Sequence, residues 1–188
     1  ILYVGQGCKN YKDILTRLAN TANIPVTTTI HAQGTYDEDQ PLSLKMLGMH
    51  GSVYANKAMQ QSDLIICVGA RFDDRTTGNI DLFAPNAKKS SKNNTGGFIH
   101  SNICKNELNK VVETDYPVLG DCGDFLKNIY PYIDNIRSKN PERMEWISYI
   151  KNLKATYPFS YNEDPSGKIK TQSVLKELDN QISDNSLI

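Results

Sequence analysis

Leu64-Ile65-Ile66-Cys67-Val68-Gly69-Ala70-Arg71-Phe72-Asp73-Asp74-Arg75 is the stretch on which the fold turns. It begins with an unbroken apolar run. Such a run suits a strand covered on both faces, the position of a central strand in a parallel sheet. Gly69 closes the strand, and two arginines and two aspartates follow within residues 71–75. A charge-dense loop of this kind is often only a solvated surface. Here it leaves the end of the strongest strand, where open parallel sheets bind their ligands. Arginine offers a planar fork to phosphate, and the carboxylates suit ribose hydroxyls or the orientation of the arginines.

Outward from that stretch, short apolar runs alternate with helical patterns. Ile1 to Val4 reads as a strand followed by Gly5-Gln6-Gly7. Residues 11–22 set Ile14, Leu15, Leu18 and Ala22 on one helical face. Ile24 to Thr28 is β-branched and reads as the next strand. Residues 31–45 read as a polar loop broken by Gly34 and Pro41, and residues 53–61 as a helix. Downstream, residues 88–97 read as a flexible surface insertion. Residues 98–100 and 116–119 read as strands, and residues 125–133 as a helix. The alternation predicts an α/β fold, a Rossmann-like doubly wound parallel sheet. After about residue 135 the pattern changes to a charged helix over 143–153, which carries Trp146. A Pro/Tyr/Asp-rich linker over 157–167 follows, then an amphipathic helix over 171–182.

The 21 basic and 21 acidic side chains cancel, so no basic field points to nucleic acid. No run of 18 apolar residues predicts a membrane span. Cys8, Cys67, Cys104 and Cys122 lack zinc-knuckle spacing and read as free thiols in a reducing compartment, with Cys67 in the core. His31, His50 and His100 form no metal-ligand pattern. No nucleophile-and-base pair is spelled out either, so no catalytic residue is assigned. The abrupt apolar opening, and the equally abrupt end at Ile188, suit an internal segment of a longer polypeptide.

Two further loops carry unusual residues. Gly5-Gln6-Gly7 directly after a strand allows close approach of a nucleotide, though a plain tight turn fits as well. Leu47-Gly48-Met49-His50-Gly51 stands at the start of a helix, whose free N–H groups attract an anion such as pyrophosphate. The alternative is a simple helix start with His50 solvated or capping. From the residues alone the reading reaches a nucleotide-binding Rossmann-like domain.

Met46-Leu-Gly-Met-His-Gly-Ser-Val-Tyr-Ala-Asn56 and Ser62-Asp-Leu-Ile-Ile-Cys-Val-Gly-Ala-Arg-Phe-Asp-Asp-Arg-Thr-Thr-Gly-Asn79 closely resemble the central domain of acetohydroxyacid (acetolactate) synthase catalytic subunits. Residues 1–7 and 24–29 fit the same family in order and spacing. The resemblance spans roughly residues 1–180, with fungal-like features before Gly96-Gly97 and around Tyr157-Pro158. It implies a thiamine-diphosphate enzyme of three domains, the cofactor and Mg2+ lying between the first and third. That enzyme decarboxylates pyruvate and joins the product to pyruvate or 2-ketobutyrate, which starts branched-chain amino acid synthesis. The central domain holds FAD, which undergoes no net redox change.

Position by position, the resemblance implies FAD contacts at Gly5, Gln6, Gly7, Thr29 and Ile30, and at Leu47, Gly48, Met49 and His50. It adds Gly69, Ala70, Arg71, Asp73 and Arg75, and then Asn102, Ile103, Asp121 and Cys122. Met49, Asp74 and Arg75 resemble residues near the substrate channel. Gln6 stands where a small residue is usual, and His31-Ala32-Gln33 replaces a more apolar stretch. Asn102 stands where the family carries an acidic residue, keeping a hydrogen bond to the adenosine part but losing the charge.

The implied domains are an FAD-binding domain over 1–135, a helix and linker over 136–170, and the opening of a thiamine-diphosphate-binding domain over 171–188. The activating glutamate and the Gly-Asp-Gly metal motif belong to other domains, so the chain alone is expected to lack synthase activity. The resemblance also implies 2-keto acid substrates, a homodimer or higher oligomer and a separate regulatory subunit. It implies mitochondria for a fungal source, and the cytoplasm or plastid otherwise. Another thiamine-diphosphate carboligase or decarboxylase is the alternative among enzymes. A non-catalytic nucleotide-binding module is the alternative from another class.

Overall fold

The computed structural model describes residues 1–133 and 141–183. It divides into two compact units, Ile1–Tyr157 and Pro158–Ile188. The expected boundary at residues 135 and 136 lies outside the described residues.

The first unit is an α/β sheet. Its strands are β1 (Leu2–Val4), β2 (Val26–Thr28), β3 (Ser43–Met46), β4 (Leu64–Val68), β5 (Gly97–Asn102) and β6 (Tyr116–Leu119). All pairings are parallel, in the order β3-β2-β1-β4-β5-β6. This is the Rossmann order, and the chain reverses its direction of travel across the sheet between β1 and β4. The helices are α1 (Lys12–Ala22), α2 (Val53–Gln61), α3 (Asp74–Thr77), α4 (Pro85–Lys92), α5 (Cys122–Ile133) and α6 (Pro141–Thr156).

Side chains alternate across the strands and build two cores. Tyr3, Ile65 and Cys67 face one layer with Met59 of α2, Ala87 of α4 and Ile150 and Leu153 of α6. Leu2, Val4, Ile66 and Val68 face the other, with Leu15 and Leu18 of α1 and Leu126 of α5. Both faces of β1 and β4 are therefore buried, which is why Leu64–Val68 has no polar interruption. The second unit carries a helix, α7 (Thr171–Gln181), with Val174 and Leu175 exposed. Among the described residues no helix is long and apolar enough to cross a membrane.

The structure departs from the sequence reading in two places. Residues 43–46, expected in a polar loop, form edge strand β3. Its ladder slips between Val26/Ser43 and Thr28/Met46, and Lys45 has a positive φ of 58°. A bulged strand of mixed polarity loses the period-two signal. Residues 88–92, expected in a flexible insertion, complete α4. Pro85 begins that helix and Ala87 anchors it in the core. Proline in the first helical turn is the start signal that the sequence carries for this helix.

Candidate functional site

The carboxyl ends of β1 and β4 meet backbone to backbone. Gly5 donates its amide to Val68 O at 2.9 Å, and Gly7 donates to Gly69 O at 3.1 Å. A Cβ on Gly5 would lie 2.1 Å from the Gly69 carbonyl oxygen and 2.3 Å from Ala70 Cα. Gly69 turns with φ +61°, a left-handed conformation that glycine adopts without penalty. The Gly5-Gln6-Gly7 turn thus seats one loop directly on the other at the switch point, and leads into a 3₁₀ turn over Gln6–Tyr11.

The charged loop is splayed by its aromatic residue. Phe72 is 5% exposed and packs on Tyr3, Phe83, Phe98 and His100. Arg71 is exposed and Asp73 half-buried on either side of it. From below, buried Tyr3 donates its hydroxyl to the Arg71 carbonyl at 3.1 Å, so Thr76 must be the donor in the 3.2 Å bond between the two hydroxyls. Burial pushes the Tyr3 phenol pKa well up, keeping it a donor. Asp73 caps α3, its Oδ1 accepting from Thr76 N at 3.1 Å. Asp74 is exposed, 4.0 Å from Arg75 Nε.

The Met-His loop docks on this one. Met49 donates its amide to Arg75 O at 2.7 Å, and Arg75 Nη1 reaches Met49 Sδ at 3.5 Å. Gly48 has φ +105°, and a Cβ there would meet the Arg75 oxygen at 2.6 Å. Asn56 clamps Gly48 through both its amide hydrogen and its carbonyl. Ser52 caps α2 by accepting from Ala55 N at 3.0 Å. His50 is exposed.

At the end of β5, His100 and Asn102 stand two residues apart on one face and converge on the Ala70 carbonyl. His100 Nε2 and Asn102 Nδ2 each lie 2.9 Å from that oxygen. A carbonyl only accepts, so His100 carries its proton on Nε2. Burial lowers the His100 pKa, and its Nδ1 has no partner among the described residues. Asn102 Oδ1 accepts from Cys104 N at 2.9 Å. Asp121 Oδ1 accepts from Gly123 N at 2.7 Å and Asp124 N at 3.4 Å at the start of α5. The Tyr11 hydroxyl and these amides hold the Asp121 carboxyl below its usual range. Cys8 donates its thiol to Val68 O at 3.4 Å, and proximity to Cys8 lowers the pKa of the Cys122 thiol.

These loops enclose a cleft of about 980 Å³. Its walls bring together all the anticipated contacts after β1, β2, β4, β5 and β6, with Leu47, Met49 and His50 from the Met-His loop. Gly48 is not on the wall; it is wedged behind it against Arg75. Asp74 points away. The walls also include His31, Met46, Thr76, Cys104 and Glu107, which sequence reasoning did not single out as contacts. Thr76 and Cys104 follow directly from the loops already found. Glu107 carried no local signal, because its approach depends on a 3₁₀ turn, Lys105–Glu107. Ile30, Met49 and Ile103 line the cleft while 63%, 65% and 75% exposed, an apolar surface of the kind ligands cover.

Residues 1–129 match the central domain of thiamine pyrophosphate enzymes. The chain belongs to that family. Among its relatives, the mitochondrial acetolactate synthase catalytic subunit of Saccharomyces cerevisiae is 44% identical, aligned over 98% of this chain and 27% of its own length. The mitochondrial acetolactate synthase of Schizosaccharomyces pombe is 44% identical over 91% of this chain and 25% of its own. The acetolactate synthase large subunit of Corynebacterium glutamicum is 35% identical over the whole chain and 29% of its own length. The chain thus spans about a quarter of the curated relatives it matches. Within the family's Rossmann-like core, the cleft lies at the switch point between β1 and β4.

Proposed function

We propose that the chain is the FAD-binding central domain of an acetolactate synthase catalytic subunit. The observation that carries this reading is the convergence of the β1, Met-His and Arg71–Arg75 loops on one cleft at the switch point. The likeness to acetolactate synthases supports the same reading. The cleft suits a dinucleotide of flavin type. Its volume matches the upper part of the range, about 300–1,000 Å³, usual for small-molecule sites. Glycine backbone and two exposed arginines stand where a pyrophosphate would lie. Exposed Ile30 and Met49 suit a flat ring system.

In this reading Gly5, Gln6, Gly7, Gly69, Ala70, Arg71 and Arg75 hold the phosphates and their sugars, and Thr29, Ile30, Leu47, Met49 and His50 the ring end. Asp73 caps α3 and orients its neighbours, while Gly48 holds the Met-His loop against Arg75. Asn102, Ile103, Asp121 and Cys122 wall the adenosine end. Met49, Asp74 and Arg75 border the substrate approach. The domains assigned from sequence are 1–135, 136–170 and 171–188, with α6 of the second segment packing inside the first compact unit. FAD has a structural role. Thiamine diphosphate and Mg2+, bound by other domains, supply the carbanion chemistry that joins two 2-keto acids. The parent enzyme is then a homodimer or higher oligomer with a regulatory subunit, mitochondrial in a fungal source.

FAD titration of the full-length protein, followed by flavin fluorescence, tests the reading. Arg71→Ala is expected to bind FAD about tenfold more weakly, the worth of one charge-assisted contact. Equal affinity would remove Arg71 from the site, and no FAD binding by the parent would sink the cofactor assignment. In the same preparation pyruvate, thiamine diphosphate and Mg2+ should yield acetolactate, whereas the isolated chain should yield none.

A further inference from the structure

We infer that Glu107 fixes the adenosine half of the dinucleotide, its carboxylate accepting a hydrogen bond from a ribose hydroxyl. This rests on the flavin reading above and names a residue that neither the sequence motifs nor the family resemblance assigned. The two ends of the cleft differ in chemistry. At the β2–β3 end the walls are Ile30, Leu47, Met49 and His50, with no carboxylate among the described residues. At the β5–β6 end stand Asn102, Ile103, Glu107 and Asp121. Hydroxyl donors of a ribose are matched by an acceptor of full charge, the role carboxylates play in Rossmann sites.

Of the two acidic groups at that end, Glu107 is the less committed. Asn102 spends its amide on Ala70 O and its carbonyl on Cys104 N. Asp121 Oδ1 accepts from two amides at the start of α5, and the neighbouring Tyr11 hydroxyl helps hold this carboxyl below its usual range. Glu107 Oε1 accepts from Lys110 Nζ at 3.1 Å, while Oε2 receives no hydrogen bond from the described residues. The Glu107 side chain is only 20% exposed, so an interaction there is less diluted by water than one at the surface. Its position is also fixed in advance. Glu107 N donates to Cys104 O at 3.1 Å, and Cys104 is tied to Asn102 at the end of β5. Lys110, itself half-exposed, takes one carboxylate oxygen and leaves the other open. Exposed Ile103 beside it offers a face to the base.

The test uses the full-length protein and two independent arms. In the first, Glu107→Gln is titrated with FAD beside the parent, with Lys110→Ala as control. Glu107→Gln should weaken FAD about tenfold, the usual loss for a hydrogen bond to a charged group. Lys110→Ala should stay within about threefold, because a half-exposed ion pair contributes little. In the second arm the protein is unaltered, so folding is not at issue. ADP should displace FAD about tenfold better than 2′,3′-dideoxy-ADP, which lacks the donors. Unchanged FAD affinity in Glu107→Gln would overturn the proposal. So would an equal loss in Lys110→Ala, or equal displacement by the two nucleotides. A parent that binds no FAD would instead sink the flavin reading, so the two failures are distinguishable.

Discussion

Where the loops after β1 and β4 meet, backbone touches backbone, and Gly5 sits so close to Gly69 that a single Cβ would lie 2.1 Å from its oxygen. At the end of β5 the same loop is held differently: side chains of His100 and Asn102 grip one carbonyl, that of Ala70. The first arrangement admits no side chain at all. The second depends on which side chains are present and on their protonation. A cleft wall made from backbone sterics should fail abruptly on substitution, whereas one made from hydrogen bonds should weaken in steps.

The sharpest way to break this contrast is Gly5→Ala. The new methyl collides with backbone, not with a flexible side chain, so the β1–β4 junction must spread. The expected cost is about 3 kcal/mol or more, the upper end for overpacking. Gly34→Ala is the matching control. Gly34 has a positive φ, +77°, where Gly5 is extended at φ −109°, and nothing lies within 4 Å of its Cβ position. It should cost only about 1 kcal/mol of conformational strain. Urea unfolding of the two variants measures both. A Gly5→Ala cost no larger than the Gly34→Ala cost would show that close approach is not what the glycine provides.

The same contrast explains what could be read from sequence. Backbone-built parts announce themselves, because Gly5, Gly48 and Gly69 are visible as glycines beside a strand or helix start. The continuous burial of β1 and β4 likewise writes an apolar run that needs no partner to interpret. Side-chain-built parts are silent. Nothing in the one-letter code says that Asn102 turns its amide inward to Ala70, or that Glu107 turns up at the cleft through a 3₁₀ turn. β3 was lost for a related reason: its bulge at Lys45 breaks the alternation on which strand recognition depends.

Asn102→Asp tests the side-chain arrangement at intermediate size. The carboxylate keeps the bond from Cys104 N but cannot donate to Ala70 O, and it brings negative charge against that oxygen. His100 still satisfies the carbonyl, so the loss should stay near about 1–2 kcal/mol of stability. Chemical denaturation at neutral pH measures it. A neutral or stabilising effect would mean that the Ala70 carbonyl does not depend on the amide.

The smallest effect belongs to His100 and is a matter of pH. The imidazole is fully buried and its pKa is lowered, chiefly by burial, against opposing contributions from the Ala70 carbonyl and Glu107. The folded state therefore resists a proton that the unfolded chain accepts near its ordinary value of 6.5. Below that value the unfolded state binds more protons, so stability falls as pH falls; above it both states are neutral and the contribution vanishes. Between pH 6.5 and 6.0 the loss is at most roughly 0.4 kcal/mol, since a single proton is involved. His100→Gln keeps an amide donor for Ala70 O and removes the titration. Its stability should lose less than the parent's across this interval, with exposed His31 and His50 cancelling in the difference. Parallel slopes would mean that the imidazole takes up its proton as readily in the folded state. The Ala70 carbonyl would then be held by a group indifferent to pH, and this end of the cleft would be as rigid as the glycine junction.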